Sequence, residues 1–279
     1  MAPRRIYFAN ISNVFPILPL QWGVLRAAAE TDPRVAAAYR FEEPFFLPRR
    51  AAAMARQVRR PAVLAVSCWV WNFQLQMKLC RLVKRRHPRC VVVAGGCQIP
   101  RRPGEFFERH PHVDVLVHGE GEGPFRRLLV ELLEARPQLE AVGGISFNRG
   151  GEAVCGGPNR EPLPVRITDA ELPSPYLAGY YERILRRTRR RVPRLWALWE
   201  TSRGCPHECA FCDYGAAEHG RLKRFERARV KAELDYLAAH RVELVFCADA
   251  NFGLLRRDVE LSRHRSEERR VGKECATGC

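Results

Sequence analysis

The 279-residue chain has no apolar run near the roughly 20 residues that span a bilayer, so it is not expected to cross a membrane. Its opening, Met1 to Phe8, goes directly into a strand-like run and lacks the apolar core and small-residue cleavage site of a secretory signal. The cytoplasm is therefore the expected compartment. Internal repeats and low-complexity tracts are absent, which removes solenoids and disordered polymers from consideration. Acidic residues are scarce beside basic ones, 31 against 47, and the formal net charge is +16. A basic surface raises the question of a nucleic-acid partner. The excess is almost all arginine and spread thinly, and its densest run, Arg186 to Arg191, falls in a linker. Nucleic acid is therefore not the expected partner.

Apolar residues make up 46% of the chain, enough for a buried core. The 11 cysteines are too many to ignore. Without an export signal they read as reduced thiols and a metal site rather than as disulfides. Cys68, Cys80, Cys90 and Cys247 sit in apolar runs and read as small core residues.

The first 135 residues alternate strand-like and helix-like runs. Strands are expected at 5–10, 35–41, 62–67, 90–94 and 113–117. Helices are expected at 20–30, 49–59, 73–86, 104–110 and 123–135. This predicts an α/β fold with a doubly wound parallel sheet over residues 1–136. Ligands of such sheets bind where strands end and strand order reverses. Residues 137–193, rich in Pro and Gly, read as a linker with small elements, including a short strand at 145–148. A second strand–helix–strand unit starts at residue 194, with strands at 196–199 and 242–247 and a helix at 227–240. It reads as the beginning of a βα barrel.

The loop after the first strand of that unit carries Cys205, Cys209 and Cys212. Spacings of three and two residues let one loop wrap a cube-shaped iron–sulfur cluster, leaving one iron without a protein ligand. A structural site would be closed, whereas an open position serves chemistry. Zinc stays as the alternative, but His207 and His219 do not give a normal paired spacing.

At these residues, with Phe211 before the last cysteine, the chain resembles the radical S-adenosylmethionine (SAM) superfamily. The resemblance implies a [4Fe–4S] cluster on the three cysteines, SAM on the open iron, and cleavage to a 5′-deoxyadenosyl radical after one-electron transfer. It also implies an electron donor such as a flavodoxin or ferredoxin. Asp249 and Asn251, at the end of the next strand, are the candidate polar contacts to SAM, with Phe211 beside it. Glu200 and Arg203 flank the loop, either in direct roles or as an ion pair.

A doubly wound domain, a linker with Leu172-Pro173-Ser174-Pro175 and then this loop together resemble the cobalamin-binding class of that superfamily. Ser67, Gly95, Gly96, Gly119, Glu120 and Gly121 are the implied cobalamin contacts. The class departs here in one respect. The loop after the first strand, Asn10 to Asn13, lacks the histidine that would bind cobalt from below. An open lower face and a domain that has lost cobalamin both remain compatible with that. The segment from Glu200 to Cys205 with that from Asp249 to Gly253 looks most like the cobalamin-dependent methyltransferases of the class. The implied activity is methyl transfer to an unactivated carbon of a peptide or natural product. A tRNA-modifying radical SAM enzyme and a non-catalytic cobalamin- or nucleotide-binding fragment are the alternatives.

Arg265 to Cys275 resembles a translated sequencing adapter more than protein. Residues 265–279 are accordingly expected to be foreign, Cys275 and Cys279 to be meaningless, and the natural chain to continue past His264. A charged helical tail is the other reading.

Overall fold

The computed structural model describes residues 2–12, 16–100, 102–188, 192, 194–207, 209–212 and 222–268. Of the expectations above, His219, the basic residues Arg189 to Arg191, Cys275 and Cys279 lie outside them. The chain forms two compact units, residues 1–163 and 164–279.

In the first unit the order is β1 (Arg4–Ala9), β2 (Ile17–Leu18), α1 (Leu20–Glu30), α2 (Pro33–Ala38), β3 (Tyr39–Phe41), α3 (Ala51–Gln57), β4 (Pro61–Ser67), α4 (Phe73–Arg86), β5 (Val91–Gly95), α5 (Gly104–Arg109), β6 (Val115–Val117), α6 (Glu122–Glu131), β7 (Ile145–Arg149) and β8 (Glu152–Cys155). The main sheet runs β3-β1-β4-β5-β6-β7-β8. Its first five strands are parallel. Numbered among themselves they follow the order 2-1-3-4-5, the flavodoxin-like form of a doubly wound sheet. Strand order reverses between β1 and β4.

Side chains alternate across each strand, and both faces are buried. Tyr7, Ala9, Leu64, Val66, Val92, Ala94 and Leu116 join one core cluster with Met54, Leu79, Val83 and Phe107. Their neighbours Ile6, Phe8, Val63, Ala65, Val93 and Val115 are buried as well. Helices α1 and α6 pack side by side and bury Trp22, Val24, Phe125 and Leu128. Two-sided burial explains why these strands read as continuous apolar runs rather than as alternating ones.

Two expectations change here. The strand expected at 35–41 is mostly helix, and only Tyr39–Phe41 pairs with β1. The cause is local. Asp32 caps α2 by accepting the Arg34 N–H at 2.9 Å, Pro33 occupies the first turn, and Ala36 to Ala38 favour helix. The second change concerns the hairpin β7–β8, read as part of a linker. It adds antiparallel strands to the sheet edge, with Val115 opposite Phe147 and Val117 opposite Ile145.

The second unit contains β9 (Arg166–Ile167), α7 (Glu182–Thr188), β10 (Trp196–Trp199), β11 (Ser202–Arg203), β12 (Lys223–Phe225), α8 (Arg227–Ala239), β13 (Leu244–Cys247) and α9 (Arg256–Glu268). Strands β10 and β13 pair in parallel, Trp196 to Leu244 through Trp199 to Cys247, with α8 in the crossover. Trp199 is buried against that helix and donates its indole N–H to the Val230 carbonyl at 3.0 Å. Strand β12 pairs antiparallel with β11 and parallel with β9. The stretch read as loop from Arg203 therefore opens from a β-ladder. The Leu172-Pro173-Ser174-Pro175 segment docks on α8, where Ser174 donates to Glu233 at 2.6 Å and Arg229 donates to the Leu172 carbonyl. Tyr176 beyond it is fully buried and donates to the Leu198 carbonyl at 2.5 Å.

Candidate cofactor sites

The first candidate site is the rim of strand ends in the first unit. The loops after β1 and β4 are tied by buried amides. Asn72 donates to the Ile11 carbonyl at 3.1 Å, and Gln76 donates to the Ala9 carbonyl at 2.9 Å. Asn72 also accepts the Trp69 N–H at 2.9 Å. The Ser67 hydroxyl is buried and accepts the Trp69 indole N–H at 2.9 Å. Trp69 stacks on Trp71 at 5.1 Å, and Trp71 and Val70 are exposed above the loop.

The glycines divide by cause. Gly96, at φ +105°, faces the next loop so closely that a Cβ would sit 2.6 Å from the Cys68 carbonyl oxygen. Close loop-to-loop packing inside the domain thus requires glycine there. Gly95 has room for a side chain. Gly119, at φ +62°, opens onto free space with nothing within 4 Å of a Cβ, as a ligand cradle requires. Gly121 sits at the start of α6, and Glu120 accepts the Leu163 N–H at 3.2 Å. His118, on the same loop, bonds Ser146 at 2.8 Å, and burial holds its ring below the usual imidazole pKa. The strand-end rim at the reversal of strand order, with Gly119 open, fits a large nucleotide-tailed cofactor.

The second candidate site is the cysteine loop. The chain enters it from β11, turns at Gly204 (φ +85°) and reaches Cys205, which is buried. Cys209 is exposed, Cys212 is partly exposed, and Phe211 is 92% exposed. Cys212 donates its N–H to the Cys209 carbonyl at 3.0 Å. Among the described residues no three metal-ligating side chains lie close enough together to hold an ion. The donor set, three soft thiols on one short loop, still suits iron–sulfur chemistry, and such loops close around their metal on binding.

Glu200 and Arg203 form a two-point ion pair at 2.8 and 2.9 Å, mostly shielded from solvent. The guanidinium also lies over the Phe225 ring. Asp249 accepts the Thr201 N–H at 2.7 Å, the Thr201 hydroxyl at 2.5 Å and the Ser202 hydroxyl at 2.8 Å. Three of its roughly four acceptor positions are thus taken by protein. Asn251 differs, since its side-chain amide nitrogen is buried and has no hydrogen-bond partner among the described residues. Arg257, which the sequence reading passed over, donates to the carbonyls of Thr201 and Phe225. Its position past β13 at the start of α9 carried no motif that would have drawn notice.

Three cysteines of the first unit are unlike those of the loop. Cys68, Cys80 and Cys90 are buried in the core. Burial pushes the Cys68 and Cys90 thiols up to about 12 and raises that of Cys80 as well. They are core residues, as their apolar sequence surroundings suggested.

Comparison with known proteins bears on the chain as a whole. Residues 39–129 match the family model of the B12 binding domain. The chain is 52% identical over 266 residues to 2-(S-pantetheinyl)-carbapenam-3-carboxylate methyltransferase of Streptantibioticus cattleyicolor. It is 50% identical over 266 residues to the cobalamin-dependent radical SAM methyltransferase TokK of Streptomyces tokunonensis. Over nearly its whole length the chain is therefore similar to methyltransferases, one of them named a cobalamin-dependent radical SAM enzyme.

Each of these alignments covers 95% of the chain but 38% of the relative, so the chain spans well under half of their length. The fold also matches TsrM of Kitasatospora setae, solved with tryptophan and a SAM analogue, at TM-score 0.68 and 20% identity over 96% of this chain and 52% of that one. It matches OxsB with aqua-cobalamin bound at TM-score 0.66 and 18% identity over 98% of this chain and 38% of that one. No helix among the described residues is long and apolar enough to cross a membrane.

Proposed function

We propose that this chain carries the cofactor-binding part of an enzyme that methylates an unactivated carbon of a small natural product. The observation that carries this reading is the cysteine trio on the loop after β11, downstream of a flavodoxin-order domain with an open strand-end rim. When bound, the cluster supplies one-electron reduction of SAM and cobalamin supplies the methyl carrier. Cys205, Cys209 and Cys212 are the iron ligands. The Asn251 amide, buried and unpaired, is placed to donate to a SAM carboxylate, and Asp249 has one acceptor position left for the SAM amine. Phe211 is free to cover the cluster edge. Ser67, Gly95, Gly96, Gly119, Glu120 and Gly121 would line the cobalamin rim, and Gly119 leaves open space beside its backbone. The electron donor belongs to the flavodoxin or ferredoxin class. The 52%-identical relative is named for a pantetheinyl carbapenam substrate, which favours a small molecule over a peptide.

The test is anaerobic reconstitution with iron, sulfide and cobalamin. Expected are a brown protein, a cobalamin absorption band and SAM cleavage once the chain is joined to a complete barrel. Iron uptake without cobalamin would remove methyl transfer and leave a radical SAM enzyme of another kind. No iron uptake at all would overturn both.

A further inference from the structure

Thr201 and Ser202 connect the end of β10 to the cysteine loop, and they are 0% and 5% exposed. One residue there, Thr201, is held by opposite charges at its N–H and at its carbonyl. Asp249 accepts the Thr201 N–H at 2.7 Å, and Arg257 donates to the Thr201 carbonyl at 2.5 Å. The same carboxylate accepts both neighbouring hydroxyls, of Thr201 and Ser202. The same guanidinium reaches the Phe225 carbonyl, and the Phe225 N–H donates to the Thr201 carbonyl at 3.0 Å. Three elements distant in sequence, β10, β12 and the turn from β13 into α9, therefore converge on a single residue. Hydrogen bonds with one ionised partner are about twice as strong as neutral ones.

Beyond this point Ser202 and Arg203 pair with Arg224 and Lys223, Gly204 turns the chain, and Cys205 is 8% exposed. Cys209 and Phe211, a few residues further on, are exposed.

We propose that Asp249 and Arg257 are positioning residues that fix Cys205 before any metal arrives, so that Cys209 and Cys212 close onto an iron already held by one pre-placed thiolate. This rests on the cluster assignment above. It gives Asp249 a role other than direct contact with SAM, and it gives Arg257 its first role.

The test uses the whole chain. In metal-free protein, alkylation at each cysteine is followed by mass spectrometry. Asp249→Ala and Arg257→Met are expected to raise the rate at Cys205 by about tenfold or more, the size of a lost charged hydrogen bond. Cys209, already exposed, is expected to label at an unchanged rate, and the core thiols Cys80 and Cys90 are expected to stay protected. Asp249→Asn keeps one acceptor and is expected to recover part of the protection. Thr201→Val removes a single hydroxyl contact and guards against a variant that fails to fold, with a rise of about threefold at Cys205. In iron-loaded chain the same variants are expected to lose iron to a chelator faster, followed by visible absorption. An unchanged Cys205 rate in Asp249→Ala and Thr201→Val, with Cys80 still protected, would overturn the proposal. Failure of the wild-type chain to take up iron would sink the cluster assignment, while the metal-free labelling still decides the clamp.

Discussion

The two units bury their sheets differently. In the first, both faces of a five-stranded parallel sheet are covered, and residues such as Leu79, Phe107 and Leu116 are fully enclosed. In the second, β13 alternates exposed and partly exposed positions, Phe246 is 57% exposed, and Leu254 and Val259 are exposed as well. The first unit resembles a finished domain in its burial. The second presents apolar surface of the kind that proteins normally cover. Chemistry-bearing residues follow the same division. The proposed cobalamin rim sits on the strand ends of the enclosed sheet, while the entry to the cysteine loop is held by a few charged contacts.

The sharpest test of this contrast is removal of sulfur ligands. Replacing Cys205, Cys209 and Cys212 together with serine is expected to abolish iron binding while leaving unfolding of the first unit unchanged, as read by iron assay and thermal denaturation. The next largest effect is expected in the enclosed core, where Leu79→Ala should cost the first unit about 2–5 kcal/mol by denaturant titration. By comparison, Phe246→Ser is expected to cost less than about 1 kcal/mol and to reduce aggregation, measured by light scattering. A core cost no larger than that at Phe246 would erase the distinction between the units.

The smallest effect comes from pH. Burial depresses the folded-state pKa of His110, His112 and His118 below the ordinary value of 6.5. The unfolded chain then takes up these protons first. Stability of the first unit is full above about pH 6.5 and falls as pH drops through that value toward the folded pKa. Melting temperature against pH, with His118→Gln, should show a shallower acid decline in the variant.

Much of this was legible in the sequence, for particular reasons. Helix α4 was readable end to end because Phe73 to Arg86 keeps one apolar face and stops before Pro88. The parallel strands were readable because two-sided burial leaves long apolar runs. Helix α2 was missed because the weight fell on Val35 and Tyr39 rather than on the Asp32-Pro33 cap. The hairpin was readable as strand but not as part of the sheet, since pairing between residues 115–117 and 145–147 is a tertiary fact. At the cysteine loop, spacing alone pointed to the proposed ligands. The contacts that hold its entry join residues 47 to 56 positions apart, and no local pattern records such a pairing.

The hairpin at the sheet edge has a consequence for biosynthesis. With β7 and β8 in place, everything the first sheet needs lies before residue 164. A ribosome adding about 5–20 residues each second then needs roughly 2–8 s to go from there to Cys205. The first unit has that interval to fold before the oxygen-sensitive thiols leave the tunnel, so they emerge beside a settled neighbour rather than an unfolded one.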